Sequence, residues 1–356
     1  MPKQFYLTVI FLSALLSTAR SQGTLTVRVD PRFEAISIFY FLATADTFDL
    51  PYRPTPSIYY GEVKRYFEKF KFHPSLEWYR KLDRWDGFDI PSLGTYLSHS
   101  VPYMVTDSIE NDYVRSAPAD TFLSRMNAFA LDTRIHRFIR RHRRFYAWIS
   151  QSVEDSLRQS RILETAHNFF GSDELRQTVV MIDLLNNQGN NAIPSNNPKY
   201  RGQCHIRLAY LSDTSEHRTN SNRVVFHPRL NVVLHEMTHI YLHDFITDWN
   251  QRLYPIRSMF LQTAKGDTLK EDEWRNELDE LLVRVCVAVM LAEREGSAAG
   301  EKEIRAQARH YKWALPLYEL MKQYTSSRNQ YTRIKDFYPV LVKFFEQRGQ
   351  QKQKTQ

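Results

Sequence analysis

Apolar and polar residues alternate along this chain at two different periods. Leu25, Val27 and Val29 alternate with Thr24, Thr26 and Arg28, a period of two that predicts a strand, broken at Asp30-Pro31. Residues Arg32 to about Ala45 fit a helix that packs one apolar face. From Tyr59 to Leu163 the spacing is mostly helical, with aromatic anchors such as Tyr66, Phe67 and Phe70 and breaks at His73-Pro74, Ile90-Pro91 and Ala117-Pro118. The apolar run Thr178 to Leu185 predicts a buried strand, followed by a loop, "NNQGNNAIPSNNP", over 186–198. "CHIRLAYL" then sets Cys204, Ile206, Leu208 and Tyr210 against His205, Arg207, Ala209 and Leu211, a strand with two distinct faces.

After the polar turn "SDTSEHRTNSN" and "RVVFHP" comes "LNVVLHEMTHIYLH", Leu230 to His243, with the marks of a buried helix. Another helix is predicted from Glu271 to Glu293, and two or three more precede "QRGQQKQKTQ", a tail without core-forming residues. No internal repeat is visible. The pattern predicts a helix-rich α+β protein, with a small sheet next to a zincin-type helix and a contribution from a later helix. The expected organisation is a signal peptide over 1–21, a mainly helical N-terminal region over 22–170, a zincin-like region over 171–346 and a disordered tail over 347–356. Residues 22–346 could also form one compact unit.

Composition narrows the class. Hydrophobic residues at 42% and charged residues at 25% describe a soluble globular chain and exclude a disordered one. No internal stretch reaches the roughly 18–20 apolar residues of a membrane span. At the N-terminus, Lys3 precedes an apolar run from Phe5 to about Ala19, and Ala19 and Ser21 stand at −3 and −1 of a cleavage after Ser21. This reads as a secretory signal peptide, so the protein is expected to be exported, periplasmic or secreted. Its removal takes away Lys3 and Arg20, and the formal charge falls from +8 to +6. That balance favours acidic partners only weakly, and no nucleic-acid partner is expected. "RIHRFIRRHRRFY", Arg134 to Tyr146, gathers six arginines and two histidines; it reads as a solvated basic helix face in preference to a docking site for an anionic surface. The two cysteines, Cys204 and Cys286, imply no disulfide framework, and Cys286 lies in an apolar run that suits a buried thiol.

The chemistry concentrates in His235-Glu236-Met237-Thr238-His239, an H-E-x-x-H sequence. On a helix, i and i+4 lie one turn apart on one face, so both imidazoles can reach a single Zn²⁺. Glu236 can face the water that zinc makes acidic, take its proton and pass it to a leaving amine. A catalytic site needs a third ligand. Leu242 and Phe245 stand where a metzincin would place its glycine and its last ligand, and His243 lies too far along the axis. A carboxylate from "WRNELDELLVRVCVAVML" is the other solution: Glu280, embedded beside "LLV", is favoured, and Glu277 is next. Glu280 could instead form an exposed pair with Arg284, worth only tenths of a kcal/mol. Tyr311, His310 and Tyr241 are candidates for an oxyanion stabiliser.

These features resemble a group of secreted H-E-x-x-H proteins of Bacteroidetes described only as a domain of unknown function. The resemblance runs through "VDPRFEAISIFYFLA", "YFEKFKFHPSLEW", "HEMTH" and "DELLVRVCVAVML" to "RIKDFYPVLVKFF". It implies a gluzincin-like zinc peptidase with ligands His235, His239 and Glu280, acid/base Glu236 and no established substrate. The chain departs from the Asn-Glu-x-x-x-Asp pattern of thermolysin, because Leu281 stands where the aspartate would be.

The leading expectation is a zinc metallopeptidase acting on a peptide or protein, with the edge of "CHIRLAYL" receiving an extended substrate. The alternatives are a non-catalytic zinc-containing periplasmic or surface binding protein, and a hydrolase of a non-protein amide in cell-wall material.

Overall fold

The computed structural model describes residues 24–44, 58–82, 90–106, 119–171, 177–185, 190–193, 202–209 and 230–353. The expected signal peptide, the polar turn over 212–222 and "RVVFHP" lie outside the described residues. Four strands form one sheet: β1 (Thr24–Arg28), β2 (Gln177–Asp183), β3 (Asn191–Ile193) and β4 (Gln203–Ala209), in the order β1-β2-β4-β3. β1 pairs parallel with β2, and β2 parallel with β4. β3 is antiparallel to β4, with Asn191 opposite Arg207, Ala192 opposite Ile206 and Ile193 opposite His205. Helices dominate the rest, so the molecule is α+β.

β3 falls inside the stretch 186–198 that the sequence reads as a loop. Three residues between asparagines and a proline offer no period; pairing with β4, not propensity, makes them a strand. This also corrects the expectation of a free edge at "CHIRLAYL". β4 lies between β2 and β3, and β3 occupies its ladder over 205–207.

Directly after β1, helix α1 (Pro31–Thr44) begins with Pro31, while Asp30 Oδ1 accepts from the Arg32 backbone N–H at 3.0 Å. Instead of one apolar face, α1 is buried on nearly every side, Arg32, Glu34 and Ser37 included. It packs beside β2, while α2 (Ile58–Phe67), α3 (Pro74–Arg80), α4 (Ala119–Thr133) and α5 (Ile135–Gln159) supply an aromatic core around Phe39, Phe67, Phe129 and Phe138. His73-Pro74 is a helix start, as its proline suggests: His73 Nδ1 accepts from the Ser75 backbone N–H at 3.2 Å.

On the sheet face towards α1, β2 and β4 turn inward a charged pair. Arg207 donates to Asp183 Oδ2 at 2.7 Å, and neither side chain has any exposed surface. Arg207 Nε also donates to Asn191 Oδ1 at 2.8 Å, which ties the first residue of β3 to β4 by side chain as well as by ladder. Both cysteines are free and buried.

The second half continues through α6 (Ile162–Phe170), α7 (Leu230–Asp248), α8 (Asn250–Leu253), α9 (Trp274–Glu295), α10 (Ser297–Gln307), α11 (Ala314–Ser326) and α12 (Ile334–Gln353). α7 packs against β3 and β4 on one side and α9 on the other. α12 runs on to Gln353, so the tail expected to be disordered from 347 is helical as far as that residue. The reason is a contact the composition hides. Gly349 is buried so close to Ile256 that a Cβ would stand 2.6 Å from Ile256 Cγ2, and Arg252 Nε donates to Glu346 Oε1 at 2.7 Å.

Candidate metal centre

α7 carries the H-E-x-x-H residues with their apolar neighbours turned inward: Val233, Leu234, Met237, Tyr241, Leu242 and Phe245 are buried. This packing leaves His235 and His239 on the side facing α9. Their Nε2 atoms lie 3.1 Å apart. Glu280, in the second turn of α9, brings Oε1 to 3.4 Å from His239 Nε2 and 3.7 Å from His235 Nε2. These three side chains form a group that could hold a metal ion.

Glu277 is placed differently: its Oε1 stands 3.8 Å from His310 Nε2. Glu280 is therefore the carboxylate that meets both histidines. It also makes the pair with Arg284 that seemed to compete with a ligand role, because its two oxygens divide the work. Oε1 faces the imidazoles, while Oε2 takes Arg284 Nη2 at 2.8 Å. Burial would raise the Glu280 carboxyl, but the facing imidazoles of His235 and His239 and the charge of Arg284 outweigh it and hold it well below the usual carboxylate range.

One functional partner escaped sequence reasoning. Asp279 Oδ2 lies 2.7 Å from His239 Nδ1 and so leaves Nε2 turned to the shared centre. Burial works to lower the imidazole's pKa, yet the bonds to Asp279 and Glu280 carry it up to about 10. The signal available in the sequence was chemical: a histidine that is to ligate needs an acceptor for its other nitrogen, and an aspartate precedes Glu280.

Glu236 is 6% exposed. Burial raises its pKa, Glu280 adds to that, and His235, His239 and a backbone hydrogen bond from Ala192 act against it. The Ala192 contact fixes the orientation of the sheet. In an antiparallel pair successive N–H groups point alternately to the partner strand and away from it; that of Ala192 turns away from β4 to Glu236. The outer edge of β3 thus borders the centre. Cys204 on β4 lies near enough to Glu236 to feel its charge, and burial foremost keeps its thiol protonated.

The remaining candidates are held elsewhere. His243 is half exposed and pairs with Asp244 at 2.9 Å. Tyr241 stacks on Phe170 with ring centroids 4.1 Å apart. The Tyr311 hydroxyl accepts from Arg284 Nε at 3.3 Å, and Gln307 Oε1 accepts from Arg284 Nη1 at 3.2 Å. Tyr311 and Gln307 thus steady the arginine that steadies Glu280. Among the described residues, no helix is long and apolar enough to cross a membrane.

Residues 82–344 match the sequence model of a family described as "Domain of unknown function (DUF4932)". No curated protein and no solved structure matches the chain.

Proposed function

The chain belongs to the DUF4932 family, and from that premise we propose that it is an exported zinc-dependent metallopeptidase of gluzincin type, with His235, His239 and Glu280 as ligands and Glu236 as the general base. The observation that carries the reading is the spacing of the three donor atoms. Ligands about 2.0–2.2 Å from a tetrahedral zinc stand about 3.3–3.6 Å from one another, and these atoms lie at 3.1, 3.4 and 3.7 Å. Two imidazoles and one carboxylate are also the donor set of catalytic zinc, which leaves a fourth position open.

Zinc bound there supplies Lewis-acid polarisation of a carbonyl and makes a water acidic enough to attack it. The chain's own residues do the rest. Asp279 and Arg284 fix the orientation of His239 and Glu280. The Glu236 carboxylate, beside the ligands but not among them, accepts the water's proton and returns it to the leaving amine. Ala192 aims that carboxylate, and the β3 edge it belongs to offers backbone groups to an extended peptide.

The experiment is metal analysis joined to a cleavage assay on Glu236→Gln. One zinc per chain is expected in both wild type and variant. Zinc-restored hydrolysis of peptides should fall by about 10²–10⁴-fold in the variant. Full zinc occupancy after His235→Ala and after His239→Ala overturns the metal centre. A zinc-loaded wild type that cleaves nothing in a broad peptide and cell-wall screen leaves a binding protein as the better account.

A further inference from the structure

The basic segment of α5 has a property that its composition does not reveal. Its side chains sort sharply: Ile135, Phe138, Ile139, Tyr146 and Ile149 are buried, and Arg137, Arg140, Arg141, Arg143 and Arg144 are exposed. Arg137, Arg141, Arg144 and Trp148 are spaced i, i+4, i+7, i+11, so they form one row about 16 Å long on the outer side of the helix, with Arg140 beside it.

Among the described residues, no carboxylate answers these charges. The helix carries no acidic residue from Ile135 to Val153. Of the nearby acids, Glu62 is bonded to His142 at 2.8 Å and Asp132 to His73 at 3.1 Å. Among the described residues, none of the five arginines has an ion-pair partner. Exposed arginines elsewhere divide: Arg158 pairs with Glu154, Arg252 with Glu346 and Arg333 with Asp336, whereas Arg65, Arg125 and Arg309 have no ion-pair partner among the described residues. What sets α5 apart is that five such arginines are neighbours on one helix. Five neighbouring unpaired guanidiniums repel one another, a cost that an anionic partner removes.

The ends of the row say which anionic partner. Trp148 closes its C-terminal end and is 37% exposed. Before the N-terminal end, Leu131 and Phe72, the sequence neighbours of the bonded Asp132 and His73, are 55% and 72% exposed. Lys71 lies over the Phe72 ring, 5.3 Å from its centroid. Arginines with exposed aromatic and aliphatic side chains at their borders suit a lipid interface, where phosphate oxygens take the guanidiniums and acyl chains take the apolar groups. A nucleic-acid backbone would satisfy the charges but has no hydrocarbon for Phe72 and Leu131.

We propose that α5 docks the protein on an anionic phospholipid bilayer through Arg137, Arg140, Arg141 and Arg144, with Trp148, Phe72 and Leu131 entering the interface. This reading is independent of the metal centre.

The test is cosedimentation of the purified protein with phosphatidylcholine vesicles that contain or lack phosphatidylglycerol. The R137Q/R141Q/R144Q variant is compared in the same chain, so any contribution of residues 1–21 is common to both. Binding should require phosphatidylglycerol and weaken steeply with salt. Three lost charges should lower the partition coefficient about a hundredfold, at about fivefold per basic residue. The Arg→Lys version of the triple variant should keep most of the binding, and Trp148→Ala should weaken it less than the charge loss does. Equal binding to neutral vesicles, equal binding by the glutamine variant, or no binding to anionic vesicles by folded wild type overturns the proposal. So does a preference for duplex DNA over anionic vesicles.

Discussion

Asp279 and Arg284 touch His239 and Glu280, two of the three side chains that could hold an ion, and neither belongs to that group itself. Partners of this kind matter to metal affinity because they fix a ligand's tautomer and direction. Asp279→Asn keeps the shape but loses the charge that orients His239. Zinc affinity is expected to fall about 10–100-fold, as measured by competition with a chromogenic chelator. Arg284→Gln should act in the same direction, because it frees Glu280 Oε2 to turn. Glu277→Gln, whose carboxyl faces His310 instead, should leave the affinity unchanged. The contrast also marks how far this site could be read in the sequence. His235, Glu236 and His239 were legible because i and i+4 on a helix define a face, and Glu280 because apolar residues crowd it inward. Asp279 was not, since its partner lies 40 residues away and no spacing rule connects two helices. The pair with Arg284 does not keep Glu280 from the histidines, because a carboxylate has two oxygens.

At the scale of elements, what stayed hidden was burial and order. The period of two in β1 and the apolar run of β2 show as strands on the page. That β4 is interior, that three residues of a polar stretch become its edge, and that α1 is enclosed all round depend on neighbours far along the chain. The polar groups this encloses carry testable consequences. Glu34 on α1 is deeply buried, takes a hydrogen bond from Tyr59 and feels Asp183; burial foremost pushes its pKa from 4.5 up to about 8. Between those values the folded chain holds a proton that the unfolded chain has lost. The neutral acid's contribution is therefore complete below pH 4.5 and is lost as pH rises through 8. Relative to Glu34→Gln, the wild type should lose on the order of a few kcal/mol across that window. Paired urea titrations at pH 5 and pH 9 check it, and equal differences at both would show that Glu34 ionises normally. The neighbouring pair is stiffer. Asp183→Ala strands the Arg207 charge without exposed surface, at a cost of about 3–5 kcal/mol in denaturant unfolding.

Across the whole molecule, the candidate metal centre joins parts of the chain that are remote in sequence. His235 and His239 sit on α7 and Glu280 on α9, with the segment over 249–273 between them. An ion held only by the folded arrangement stabilises it by mass action. Zinc at a hundred times its dissociation constant should therefore add about 2.7 kcal/mol, seen as a rise in melting temperature that a chelator reverses. A melting temperature indifferent to both would separate the three side chains from any metal. The connecting segment rests on the last helix of the chain: Ile256 lies against Gly349, and Arg252 is bonded to Glu346. For a gene, this makes the codons as far as Gly349 unequal to the expendable tail their composition suggests. A stop codon at or before position 349 would remove the buried Gly349 and loosen the ground between the helices that carry His235, His239 and Glu280. A mutation that spares every site residue could thereby silence the protein, and a tag or fusion should begin beyond Gln353.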